Sequence, residues 1–321
     1  MTTAVLDTPS KVTLSSNLEF LWLEITSLCN LQCVHCYAES SPHPEMKNIL
    51  SPNDYFQLIS EASRLGCKKV QFIGGEPTLA KHLPDYISHA HKEGFDFIEV
   101  FSNLFTISDQ LITCFVDNKV SVATSFYCDI PEIHDEITQR SGSHSVTTAN
   151  IKRILDAGLV LRAGIILMPP NQHRLEETKE FLYNLGVQEV GTDRLRGVGR
   201  GTYLESPEKA CDLGELCGSC WKGSACVAPD GTVSPCIMSK EWSTGSILNT
   251  PLGEVFQSSE FYNIRQRIYE EVWLPLEETA AACNPDCSPT CVPQRVCSPT
   301  SCSPNKNCQP TAGCRPCSPY Y

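Results

Sequence analysis

Cys29, Cys33 and Cys36 stand at C-x3-C-x2-C spacing directly after the apolar run FLWLEIT, and Tyr37 follows the last of them. No other segment restricts the chain as much. A short apolar run of this kind reads as a buried strand, so the loop at its end delivers three thiols together. Three thiolates can hold three irons of a [4Fe–4S] cube, leaving the fourth iron without a protein ligand. An open iron suits a cluster that binds a substrate or cofactor. Two plainer assignments use the same residues. Structural zinc closes with four ligands, often in two spaced pairs, and His35 is at hand to replace a thiolate; a redox pair needs C-x2-C alone.

At 321 residues the chain can bury a full core and divide into more than one domain. A net charge of −12 argues against unaided nucleic-acid binding, which draws on basic surface. No apolar stretch is long enough to span a membrane, and MTTAVLDTPSKVTLSSN lacks the apolar centre of a secretory signal. A cytoplasmic location is expected. There, nineteen cysteines point to metal ligation before disulfides. Thirteen of them lie from Cys211 onward, so composition divides the chain near residue 205.

Residues 19–205, after an N-terminal extension over 1–18, alternate strand-like and helical stretches. FLWLEIT, KVQFIGG, FIEVFSN, VSVATSF, LVLRAGIIL and VQEVGTDRLR predict six strands. SPNDYFQLISEASRLG is the clearest helix, with Ser51 as N-cap, Pro52 in the first turn, Gly66 as stop, and Phe56, Leu58, Ile59, Ala62 and Leu65 on one face. Six strand–helix alternations imply a parallel sheet with right-handed crossovers, either a partial barrel or an open doubly wound sheet. In both, chemistry belongs at the carboxyl ends of the strands, where the three-cysteine loop falls.

Residues 206–275 predict a smaller unit containing a hairpin, CVAPDGTVSPC, that turns at Asp230-Gly231. Helix is expected after Pro251. From 276 the chain becomes a Cys/Pro-rich tail, in which each of eight cysteines is followed two residues later by proline. Such a tail cannot build a hydrophobic core. Metal ligation could order it; a tail that picks up zinc or iron opportunistically is the alternative.

Taken together, these motifs resemble those of the radical S-adenosylmethionine (SAM) superfamily. The cysteine loop with its following aromatic, GGEPT at 74–78, Ser102-Asn103, SFYCD at 125–129, His134-Asp135, Arg140 and GVGRG at 197–201 follow that family's order along the strands. The departure is at Ser102-Asn103, where the family often has Thr-Asn-Gly. The resemblance implies an α/β fold, a partial (β/α)6 TIM-like barrel with a small C-terminal auxiliary-cluster domain. It implies a [4Fe–4S] cluster on Cys29, Cys33 and Cys36 that binds SAM. A SAM pocket would be formed by Tyr37, Gly74, Gly75, Glu76, Pro77, Asn103, Ser125 and Arg140. In that pocket the two glycines would let the main chain approach the ligand, and Arg140 would pair with a carboxylate. Cys128, Asp193 and Arg196 are candidate catalytic groups near the substrate; packing for the cysteine and ion pairing for the other two are the competing assignments.

Residues 217–265 also resemble the SPASM or twitch auxiliary-cluster region. Cys217, Cys220, Cys236 and the tail cysteines Cys283, Cys287 and Cys291 are its candidate ligands, for one or two auxiliary [4Fe–4S] clusters. Enzymes of this type modify ribosomally made peptides by crosslinking, epimerisation or oxidation. The implied partners are thus a peptide substrate, a reducing protein such as a flavodoxin or ferredoxin, and a separate peptide-recognition protein, since only about eighteen residues precede the first strand. A dehydrogenase or decarboxylase acting on a small sugar or antibiotic intermediate is the second reading. A non-catalytic electron carrier is a third, disfavoured because a carrier has no use for a SAM pocket.

Overall fold

The computed structural model describes residues 14–45, 47–205 and 212–281. The first strand, β1 (Phe20–Glu24), runs into the cysteine loop, which leads to α1 (Pro52–Arg64). Next come β2 (Lys69–Ile73), α2 (Leu83–Lys92), β3 (Phe97–Phe101), α3 (Asp109–Asp117) and β4 (Ser121–Ser125). Two helices, α4 (Pro131–Thr138) and α5 (Ser143–Asp156), precede β5 (Leu161–Leu167), α6 (Leu175–Leu185) and β6 (Glu189–Arg194). After the short α7 (Gly201–Glu205) the chain forms β7 (Ser224–Val227), β8 (Thr232–Ser234) and β9 (Gly245–Ser246). It then enters α8 (Leu252–Gln257), α9 (Ser259–Ile268), a π-helical turn and α10 (Leu274–Ala281).

The nine strands among the described residues belong to one sheet, in the order β6-β5-β4-β3-β2-β1-β7-β8-β9. The six expected strands are parallel and lie side by side in chain order. β6 and β9 are the edges, so the sheet is open, and its six parallel strands in chain order give it a partial barrel-like arrangement. The hairpin turns at the expected place, but it extends the core sheet: β7 pairs in parallel with β1, Leu21 opposite Ala225. The reason is local. SACV is wholly buried and apolar enough to cover the otherwise unpaired edge of β1.

The outer face of the sheet carries Leu21, Leu23, Val70, Phe72, Val100 and Val122 against helix residues such as Ile59, Ile87, Phe115 and Ile151. Parallel strands covered in this way read as near-continuous apolar runs. Ser51 caps α1 as expected, in a reciprocal box with Asp54. Its buried face is Tyr55, Leu58, Ile59 and Ala62, with Phe56 and Leu65 packed at the margin. Tyr55 is buried because its hydroxyl reaches the Glu24 carbonyl at 3.1 Å. The inner face is polar in the middle, where Arg162 grips Glu99 through two hydrogen bonds of 2.9 and 2.8 Å and Gln71 donates to the same carboxylate. Among the described residues no helix is long and apolar enough to cross a membrane.

Candidate active site

The cysteine loop leaves β1 and is fixed from several sides by main-chain bonds. Its near end is tied to the segment before α1, with Cys29 N–H donating to Ser41 C=O at 3.0 Å. Its middle leans on α4, where Gln32 and Val34 donate to the carbonyls of Thr138 and Ile137. Arg200, in the loop before α7, clasps the far end. Its Nε donates to Cys33 C=O at 2.9 Å, its Nη2 to Ser40 C=O at 2.8 Å, and its main-chain N–H to Cys36 C=O at 3.0 Å. Gly199 makes that approach possible, because a Cβ there would lie 2.4 Å from Tyr37 C=O.

Gly74 and Gly75 serve the same loop. Gly75 N–H donates to Thr26 C=O at 2.7 Å and Glu76 N–H to Leu28 C=O at 2.8 Å. A Cβ on Gly75 would stand 2.2 Å from Leu28 C=O, and one on Gly74 2.4 Å from Thr26 C=O. The close approach expected toward a ligand is thus made first toward the cysteine loop. Glu76 is fully buried behind it, accepting from Thr78 N–H and Oγ1, Ser102 Oγ and Asn103 N–H. Burial pushes this carboxyl up, and those donors offset part of the push. Pro77 is buried beside it as the first residue of a 3-10 turn.

A cavity of about 150 Å³ opens over the loop, lined among others by Cys29, Cys33, Cys36, Tyr37, Gly74, Gly75, Asn103 and Ser125. Asn103 donates from Nδ2 to Asn30 Oδ1 at 2.8 Å, holding the loop after β3 against the cysteines. Tyr127 also lines it and donates to Cys33 Sγ at 4.0 Å. Beside it, His35 has a buried Nδ1 without a hydrogen-bond partner, and burial lowers its pKa to about 4, so its ring is neutral at pH 7. Burial likewise pushes the Cys33 thiol up to about 12 and Cys29 further. Thiols so placed ionise when a metal takes the proton's place. Three soft thiols, an unpartnered imidazole nitrogen and a glycine-packed wall fit an iron–sulfur cluster with a ligand over it. No three His, Cys, Asp or Glu side chains among the described residues converge on a point the size of one metal ion.

Asp193 and Arg196 line the opposite wall. They are engaged with each other, Arg196 Nε to Asp193 Oδ2 at 2.7 Å and Nη2 to Oδ1 at 2.8 Å. Arg196 also donates to Glu215 C=O and so ties the wall to the following segment. Two other candidates fall outside the lining. Cys128 is buried behind it, its sulfur beside Asp129 Oδ1 at 3.6 Å. Arg140 is exposed, its guanidinium 4.9 Å from the Phe105 ring centroid, because left-handed Gln139 ends α4 and turns the chain outward. Gln71, Tyr127 and Arg200 were not singled out from sequence. For Arg200 the signal was present: an arginine inside the glycine-rich GVGRG.

Behind the Asp193–Arg196 wall lies a second group of thiols. Cys220 is hydrogen-bonded with both Cys217 and Cys236, which pushes its own thiol up. Cys217 is pulled down by the Cys220 bond, with the Arg196 charge assisting. Three thiols brought together in this way suit a further iron–sulfur group. Cys283, Cys287 and Cys291 lie outside the described residues.

Comparison with known proteins gives the family. The radical SAM superfamily model matches residues 23–182, and the model of the SPASM iron–sulfur cluster-binding domain matches 217–291. The antilisterial bacteriocin subtilosin biosynthesis protein AlbA of Bacillus subtilis is 23% identical over 274 residues, covering 76% of this chain and 60% of AlbA. A probable GTP 3′,8-cyclase of Saccharolobus islandicus is 26% identical over 185 residues, 57% of this chain and 59% of its own length. The chain thus spans about 60% of the length of these curated relatives. Among solved structures, Streptococcus suis SuiB bound to its precursor peptide SuiA superposes with a TM-score of 0.65 at 14% identity, covering 78% of this chain and 67% of SuiB.

Proposed function

Because this chain is a member of the radical SAM/SPASM enzyme family, we propose that it reductively cleaves SAM and uses the resulting radical on a ribosomally made peptide. The observation that carries the first part is the cavity in which the thiols of Cys29, Cys33 and Cys36 face Asn103, Ser125 and the Gly74-Gly75 wall. Those three thiolates would hold the cluster, with Tyr37, Asn103 and Ser125 around the SAM. Bound there, the cluster and SAM would supply radical chemistry for hydrogen-atom abstraction from substrate, and Cys217, Cys220 and Cys236 would hold an auxiliary iron–sulfur group able to take up an electron. The chain's own work is positional. Arg200 and the glycines hold the loop, Glu76 fixes the neighbouring turn, and the apolar lining from Ile73, Phe101, Val198 and Ile237 limits water.

Peptide as the substrate class rests on the longer match to AlbA, a bacteriocin biosynthesis protein, and on the fold shared with SuiB. Small-molecule chemistry is the second reading, favoured by the match to probable GTP 3′,8-cyclases, which extends over 57% of the chain against 76% for AlbA. A low-potential donor such as a flavodoxin or ferredoxin, and a separate peptide-recognition protein, complete the proposed set of partners. Anaerobically reconstituted protein with reductant is expected to convert SAM to 5′-deoxyadenosine, and Cys33→Ala to abolish the conversion. Retained cleavage in that variant overturns the assignment. Mass spectrometry of a short peptide encoded beside the gene, co-expressed with this chain, tests the substrate class: loss of two hydrogens or a mass-neutral epimerisation supports it, and an unchanged peptide turns the search to small molecules.

A further inference from the structure

A buried ion pair stands between the two groups of thiols. Lys240 begins a 3-10 turn just after Cys236, and its Nζ lies 2.6 Å from Glu24 Oε2. Glu24 ends β1, at the root of the cysteine loop. The same Nζ lies 5.8 Å from the ring centroid of Tyr37, the neighbour of Cys36. On the other side β1 sets Trp22 opposite Cys226, within the apolar cluster that also holds Cys220 and Cys236.

Stability gives a poor account of this pair. A buried ion pair is net favourable only when its remaining lone pairs and protons are also satisfied, and an apolar replacement of similar volume is often neutral or better. Glu24 is 1% exposed, and its Oε1 is buried without a hydrogen-bond partner. Burial by itself would lower the pKa of Lys240, but the net shift is upward, led by the charge of the Glu24 carboxylate. The Lys240 side chain keeps 22% exposure. The result is a fixed positive charge aimed at the Cys36–Tyr37 turn and anchored from behind by a carboxylate.

We propose that Lys240, positioned by Glu24, sets the reduction potential of the cluster held by Cys29, Cys33 and Cys36. A nearby cation stabilises the added electron, and cluster potentials respond to local charge and burial. No bond is made or broken by the pair. The proposal rests on the cluster assignment given above.

The test is a redox titration of the anaerobically reconstituted holoenzyme followed by EPR, the cluster on Cys29, Cys33 and Cys36 being recognised by its signal change on adding SAM. Lys240→Met is expected to lower the reduced-to-oxidised ratio at fixed potential by about tenfold, equivalent to about 59 mV for a one-electron couple. Glu24→Gln, which frees the cation, is expected to raise it by a similar factor. The double variant, with both charges gone, returns to within about twofold of wild type. If either single variant stays within about twofold of wild type, or both shift the same way, the inference fails. Should Lys240→Met not fold, Glu24→Gln and the double variant still decide the matter. A wild-type protein with no SAM-responsive signal overturns the cluster assignment, and the inference with it. A SAM-responsive cluster whose potential ignores both residues sinks the inference alone.

Discussion

The buried carboxylate of Glu76 accepts the main-chain N–H of Asn103 at 2.7 Å, joining the turn after β2 to the turn after β3. Its other oxygen takes Thr78 N–H at 3.0 Å and the hydroxyls of Thr78 and Ser102, both at 2.7 Å. Every group facing Glu76 is thus a donor, and a glutamine would turn an NH2 toward one of them. Glu76→Gln is expected to destabilise the fold by about 2 kcal/mol, the range of charge-assisted bonds lost in burial. The damage should extend to ligand binding, because Asn103 lines the cavity. Urea unfolding and SAM titration of the reconstituted variant check both. Unchanged SAM affinity would show that the tie does not position Asn103.

Gly75 is held against the cysteine loop by contact so close that a methyl group would stand 2.2 Å from Leu28 C=O. Leu28 precedes Cys29 directly, so the loop must move to make room. Gly75→Ala is therefore expected to lose most of the iron held by Cys29, Cys33 and Cys36 while the iron near Cys217, Cys220 and Cys236 is kept. Iron analysis together with loss of the SAM-responsive EPR signal measures this. Full iron content with an unaltered signal would mean that the loop absorbs the methyl without consequence.

What could be read from the sequence was what is local. Apolar runs punctuated by glycine gave the six strands and the side of the sheet on which the cysteines fall, because strand burial and tight turns are set by neighbouring residues. Less legible were relations made only by tertiary approach. Arg200 reaches Cys33 C=O across 167 positions, and no periodicity announces such a bond. The pairing of β7 with β1 was hidden because a strand's sequence does not name its partner. Arg140 shows the converse. Its place after strand four suggested a pocket residue, and the structure sets it exposed beside Phe105, just after left-handed Gln139.

Leu104 explains the missing glycine after Ser102-Asn103. It adopts the left-handed backbone that a glycine would take easily, with φ 55°, while its side chain is fully buried. Its N–H donates to Ser102 Oγ at 2.9 Å, and its C=O accepts from Asn150 Nδ2 at 2.7 Å. The strain of a leucine there is about 1 kcal/mol, whereas burying its side chain contributes about 2 to 3 kcal/mol. Burial wins. Leu104→Gly is thus expected to destabilise by about 2 kcal/mol despite the relaxed backbone, once the cavity and the freer unfolded chain are included. A denaturation midpoint equal to or above wild type would mean that backbone strain outweighs side-chain burial at this position.

Acid should weaken this fold through its buried histidines. Burial, with the His144 charge assisting, lowers the pKa of His134 to about 3, and His144 is itself lowered by burial. An unfolded histidine titrates near 6.5. Between those values the unfolded chain binds a proton that the folded chain refuses, so stability rises with pH across the window. The contribution is complete above about pH 6.5 and is lost as pH falls from there toward about 3. For Asp129 and Asp135, burial acts the other way, but Arg174 in one case and the N–H groups of His144 and Gly142 in the other hold the carboxyls below their ordinary value. Their stability is lost only as pH falls through those lowered values, below the interval in which the histidines act; Glu76, whose carboxyl burial raises, opposes the histidines there by keeping in the folded chain a proton that the unfolded chain releases. His134 accepts the Tyr127 N–H at Nδ1, a bond that an asparagine oxygen can replace. His134→Asn should then flatten the urea profile, sparing about 2 kcal/mol of the loss between about pH 7 and about pH 5. Parallel profiles for the variant and the wild type would show that this imidazole is protonated in the folded chain after all.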